Sequence, residues 1–194
     1  MNNVRMDRDI EEQEEKATNL FSKVAQSKEY TYYLDEPIRD ASLYRGLSEV
    51  LSGANEGDVV NIMINSPGGY IDTAAQLSNL IQTSKAHVIG HLVGPSASAA
   101  CTLFLSCHSW VVYPFSTLMA HTFRGGFYGK GNEARDSFES TSKFVEDMMV
   151  ELYYPFFTEE EIEDMVKNNR DIYLNHKDIG ERLKTLEKFR YPEQ

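Results

Sequence analysis

The sequence predicts an α/β fold built on parallel strands, and two successive strand–turn–helix units predict it. In the first, the apolar run "DVVNIMI" ends in the turn "NSPGG" and leads into "YIDTAAQLSNLIQTS", where Ile71, Ala74, Ala75, Leu80 and Ile81 recur at helical spacing. In the second, "AHVIGHLV" ends in the turn "GPSA" and "SAACTLFLSC" begins a helix. Short apolar runs with β-branched residues read as buried strands, and helices between them make the crossovers that parallel pairing requires.

The remaining elements follow in order. Residues 1–16 are polar and rich in carboxylates, and an acidic arm over 1–27 precedes a single domain over 28–194. "YTYYLDEPI" reads as a strand ending at Pro37, and "ASLYRGLSEVLSG" as a helix closed by Gly53. "SWVVY" and "TLMAH" are two short strands split by Pro114, and "TFRGGFYGKGN" is a glycine-rich loop. A long helix runs from about Glu133 to Leu152, with Ala134, Phe138, Thr141, Val145, Met148 and Leu152 in a heptad-like stripe. Read alone, that stripe is simple packing on its own domain. Thr158 and Glu161 form a capping box for the next helix, "RDIYL" reads as a strand, and Asn175 caps a final helix through Leu186.

Composition narrows the function classes. The 194 residues suit one domain, and 41% hydrophobic with 25% charged residues is ordinary for a globular chain. Thirty acidic against nineteen basic residues give a net charge of −11, which argues against nucleic acid and anionic membranes as partners. No apolar run spans a bilayer. Cys101 and Cys107 lie in one apolar stretch, as buried reduced thiols of a cytoplasmic protein do. The adjacent Cys107 and His108 make a poor chelate, so no metal and no cofactor is expected. The glycine-rich loop is no phosphate cradle either, because Arg124 and Gly131 stand where that motif needs Gly and Ser or Thr.

The stretch "GPSASAAC" at 94–101 places Ser96 and Ser98 among side chains of almost no bulk. Close backbone packing is one reason for such a turn; a nucleophile is the other. Ser98 lies where a strand meets a helix, so unpaired N–H groups at the helix start suit a developing oxyanion. The turn Ser66–Gly69 offers a second set of donors, and turns at the carboxyl ends of parallel strands line one crevice. A serine needs a base, and His121 ends the strand "TLMA" just before the glycine-rich loop. His87, His91, His108 and His176 have weaker settings. The carboxylate that orients the base is not selected by the sequence alone, although Asp171, between a polar helix end and "IYL", is attractive.

The ordered set "INSPGG", "GPSASAA" with Ser98 29 residues after Gly69, "LMAH" and "RDIYL" resembles the ClpP family, the proteolytic subunits of the ATP-dependent Clp protease, from roughly Tyr30 to Leu186. The resemblance implies repeated ββα units in a ClpP/crotonase-like fold, with a handle region over about 122–155. It implies a serine endopeptidase in which Ser98, His121 and Asp171 form the triad. The backbone N–H groups of Gly69 and Ala99 would make the oxyanion hole, and Gly125, Gly126 and Phe127 would pair with the substrate backbone. It also implies an unfolded polypeptide or peptide as substrate, a homo-oligomeric heptameric ring stacked in pairs, and a Clp-type ATPase on a separate chain.

The chain departs from the family pattern at four places. Ala99-Ala100 replace Met-Gly after the nucleophile, Thr122-Phe123 replace Gln-Pro after the histidine, "GERL" at 180–183 replaces "EYGL", and the arm is a carboxylate run. Divergent members are encoded by bacteriophages, some as head-maturation proteases, which makes a phage origin, with action in the host cytoplasm, one reading. A catalytically silent scaffold in a viral head is a second reading, and a crotonase-like acyl-CoA enzyme a third.

Overall fold

The computed structural model describes residues 26–192, so the acidic arm expected over 1–27 lies almost wholly outside the described residues. The chain alternates strands and helices as expected. β1 (Glu29–Leu34) leads through a 3-10 turn at Ala41–Tyr44 into α1 (Arg45–Gly53), and β2 (Val59–Ile64) leads into α2 (Ile71–Thr83). β3 (His87–Leu92), β4 (Pro95–Ala97) and α3 (Ala99–Ser106) follow, then β5 (Ser109–Val112) and β6 (Thr117–Ala120). The long α4 (Gly131–Tyr153), α5 (Glu159–Asn168), β7 (Ile172–Asn175) and α6 (His176–Arg190) complete the fold.

Two sheets form. The first runs β1-β2-β3-β5, all parallel, and the second runs β4-β6-β7 with β6 and β7 antiparallel. Along β2 one face is sealed by Val60, Ile62 and Ile64, while Val59, Asn61 and Met63 on the other face stay partly open. This corrects the sequence reading of β2 and β3 as buried strands, since β3 alternates in the same way. An uninterrupted apolar run cannot say whether both faces are covered, and here the helices cover one.

"GPSA", expected as a turn only, contains β4, which leaves the first sheet and pairs in parallel with β6, Ala97 opposite Met119. The capping boxes are as expected: the Glu161 N–H donates to Thr158 Oγ1 at 3.2 Å, and Asn175 Oδ1 accepts from the N–H groups of Lys177 and Asp178. The final helix runs past Leu186 to Arg190, whose guanidinium donates to the carbonyls of Leu105, Cys107 and Leu152 and lies over the Trp110 ring. That one side chain ties the ends of α3 and α4 to α6. The heptad stripe of α4 divides: Val145 and Leu152 enter the core, whereas Phe138 near the start of the helix is 51% exposed.

Candidate active site

The site is assembled by sheet register. β4 ends at Ala97, and the next residue, Ser98, donates its N–H to the Met119 carbonyl of β6 at 2.8 Å. β6 and β7 pair antiparallel with Ala120 opposite Ile172, so one step further His121 stands opposite Asp171. Opposed residues of an antiparallel pair present their side chains on one face about 5 Å apart. Three strand ends thus bring Ser98, His121 and Asp171, separated in sequence by up to 73 residues, to one edge of the second sheet.

Ser98 has φ 57° and ψ −126°, a conformation that L-residues rarely adopt, at the sharp passage from β4 into α3. Such a strained strand-to-helix turn is how a nucleophilic serine is held out from its backbone. Ala99 opens α3, so its N–H lies in the first turn, where donors have no acceptor within the helix. The turn Ser66–Gly69 abuts it directly, because the Ala97 N–H donates to the Ser66 carbonyl at 3.0 Å. Ser66 itself is buried and fixed, donating through Oγ to Glu36 O at 2.7 Å and accepting from Gly68 N–H. Gly68 (φ +86°) is obligatory here: a Cβ would lie 2.4 Å from the Ala97 carbonyl and 2.8 Å from Ser98 Cβ. Ser96, by contrast, points into the protein, 3% exposed with its hydroxyl unpartnered. Ser98 is therefore the serine presented to solvent.

The histidines separate in the same way. His87 Nε2 lies 2.8 Å from Ser109 Oγ, His91 Nε2 lies 2.9 Å from Asn61 Oδ1, and His108 Nδ1 accepts from Val88 N–H at 3.0 Å. These three serve the first sheet, and His176 opens α6 at the far end of β7. His121 alone lines the cavity that holds Ser98. Burial pushes its imidazole below the ordinary histidine value; the Asp171 charge draws it up and the Arg124 charge lowers it further. A histidine so placed is neutral, and able to accept a proton, at neutral pH.

The cavity is about 730 Å³. Gly69, Ala99, Gly125, Gly126 and Phe127 line it together with Ser98. Its inner wall is apolar, formed by Ile71 of α2 with Val145, Met148 and Met149 of α4. At its base Thr102, one turn of α3 beyond Ser98, meets the buried Tyr153 hydroxyl at 3.0 Å. The segment 122–129 takes no regular structure and makes no backbone–backbone hydrogen bond among the described residues, so its N–H and C=O groups are available to a ligand strand.

Asp171 departs from expectation in its partner. Its Oδ2 accepts from Arg124 Nη2 at 3.3 Å, and among the described residues no hydrogen bond links the three side chains Ser98, His121 and Asp171 to one another. Sequence reasoning missed Arg124 in this role. The only local signal is a cation of the glycine-rich loop three residues after His121; the partner lies 47 residues away.

Cys101 and Cys107 are buried and unpaired, and burial pushes both thiols up to about 12, so neither is a nucleophile at neutral pH. Among the described residues no group of His, Cys, Asp and Glu is arranged to hold a metal, and no helix is long and apolar enough to cross a membrane.

Compared with known protein families, residues 12–181 match the Clp protease family. The match covers most of the chain and includes every strand of both sheets. With that match and its mixed α/β architecture, the chain belongs to the Clp protease family.

Proposed function

We propose that the protein is a ClpP-type serine endopeptidase in which Ser98, His121 and Asp171 are the triad. The observation that carries this reading is the register of the second sheet, with a strained serine, a neutral histidine and a carboxylate at three adjoining strand ends. His121 accepts the Ser98 hydroxyl proton as Oγ attacks the scissile carbonyl. The N–H groups of Gly69 and Ala99 receive the oxyanion, and His121 returns the proton to the leaving amine. Water then enters, loses a proton to His121 and hydrolyses the acyl-enzyme. Asp171 orients the ring and stabilises its charged form.

The unpaired backbone of 122–129 supports binding of an extended peptide as an added strand at Gly125, Gly126 and Phe127. The apolar inner wall accounts for side-chain room beside the nucleophile. Self-association into a heptameric ring, stacked in pairs through the handle region at 122–155, is supported by the partly open face of the parallel sheet and by apolar exposure there and on α4. Tyr33 is 65% exposed and Phe144 42%. Any ATP-driven unfolding of protein substrates comes from a separate chain, since the glycine-rich loop is not a phosphate-binding motif. Buried free thiols fit a reducing compartment, and we assign the cytoplasm. The peptidase domain comprises 28–194, preceded by the acidic arm.

The competing scaffold reading has one observation in its favour, the pairing of Asp171 with Arg124 rather than with His121. Hydrolysis of an internally quenched peptide distinguishes the two. The wild type cleaves it and Ser98→Ala does not; equal cleavage by both, or by neither when fully assembled, rejects the enzyme reading.

A further inference from the structure

His121 and Asp171 are the residues immediately beyond the last pair of a β ladder, Ala120 with Ile172, so continuing its register would set their side chains on one face. The carboxylate is nonetheless aimed at Arg124. Arg124 lies three residues after His121, in the stretch without regular structure. That stretch is pinned at two points: the rings of Phe123 and Phe127 sit 6.0 and 5.6 Å from Phe138 of α4, and 6.1 Å from each other. Between the two anchors lie only Arg124, Gly125 and Gly126. The segment that offers its backbone to a ligand strand therefore also carries the guanidinium that occupies Asp171.

Resting on the reading of Ser98, His121 and Asp171 as the triad, we propose that Arg124 is a positioning residue: it withholds Asp171 from His121 until a peptide backbone pairs with residues 124–127 and draws it away. Pairing extends the arc between the two phenylalanine anchors, and side chains along an extended strand alternate in direction, so the arginine cannot keep its present path to Asp171. The hold is a single ion pair with Arg124 77% exposed, which is weak. Several backbone hydrogen bonds to a substrate strand outweigh it. The charges acting on His121 are those of Asp171 and Arg124, and the other titratable groups lining its cavity are Tyr70, Asp72 of α2 and Tyr153 of α4. Only Arg124 is both cationic and on the ligand-pairing segment.

A small electrophile with no peptide backbone meets the held state, whereas an extended peptide releases it. Diisopropyl fluorophosphate labelling of the assembled protein should rise several-fold in Arg124→Gln, and kcat/KM for an extended peptide should gain distinctly less. Equal gains for both, no gain, or slower labelling overturns the proposal. A second readout does not depend on catalysis: the His121 imidazole titration followed by NMR in histidine-labelled wild type, Arg124→Gln, Asp171→Asn and the double variant. Arg124→Gln should raise the His121 midpoint more when Asp171 is present than when Asn replaces it, because only Asp171 can take up the freed pairing. An equal rise in both backgrounds reduces Arg124 to a through-space charge and rejects the latch. If neither protein is labelled, the triad reading has failed, and the NMR cycle alone decides whether Arg124 withholds Asp171.

Discussion

The Ser98 N–H donates to the Met119 carbonyl at 2.8 Å, fixing the proposed nucleophile's backbone to the strand that His121 follows. The serine's left-handed φ of 57° is held against its own preference by this bond and by the helix that follows. Two substitutions separate strain from chemistry. Ser98→Ala should lower peptide hydrolysis by more than about a thousandfold with little change in stability. Ser98→Gly should lose activity equally yet be more stable than Ser98→Ala by about 1 kcal/mol, since glycine adopts this conformation freely. Urea melts of the two variants measure the difference.

Gly68 is the complementary case. An added Cβ meets Ala97 O at 2.4 Å and Ser98 Cβ at 2.8 Å, and neither neighbour is a flexible side-chain end. Gly68→Ala should destabilise the fold by about 3 kcal/mol and displace Ser98, so Tm and activity fall together. Gly46→Ala in α1, where a Cβ meets nothing within 4 Å, should instead stabilise by about 0.5–1 kcal/mol.

The pH dependence follows from His121. Protonated, it cannot accept the Ser98 proton, so kcat/KM falls as pH drops through its pKa. Burial sets that pKa below the ordinary histidine value, and the acid limb should lie correspondingly low. Asp171→Asn removes the charge that draws it up, so the limb should move lower still, with a large loss of rate. A limb at or above the ordinary histidine value would contradict the assignment.

Arg190 joins three elements through carbonyls at the ends of α3 and α4, at 2.8 Å to Leu105 O, 3.2 Å to Cys107 O and 3.3 Å to Leu152 O. Arg190→Ala leaves buried acceptors without a donor and should cost about 2–3 kcal/mol, read by thermal melting. Lys188→Ala, its exposed neighbour on α6, should cost less than about 0.5 kcal/mol.

Much of this was legible in the residues because it is local. Apolar runs closed by "NSPGG" and "GPSA" marked the two strand–helix units, and Thr158 and Asn175 announced their helices through side-chain caps. Ser98, at a strand-to-helix turn, and His121, at the end of "TLMA", were candidates from the residues, and the resemblance to the ClpP family chose them over Ser96 and the other histidines. What escaped the sequence depends on distant partners. β4 is three small residues whose only β signature is β6, some twenty residues later. The half-open face of β2 depends on which helices cover it. Arg190, beyond the expected end of α6 at Leu186, acts on carbonyls 38, 83 and 85 residues away. The Arg124–Asp171 pair joins a loop to a strand end that no local pattern connects.

The central claim is that Ser98 is an activated nucleophile, and active-site labelling tests it most directly. The assembled wild-type protein, sized by light scattering, is treated with a fluorophosphonate, and the adduct is mapped by mass spectrometry. The account predicts one adduct, on Ser98, absent in Ser98→Ala and strongly reduced in His121→Gln. An assembled protein that takes up no label, or takes it on another residue, would contradict the account.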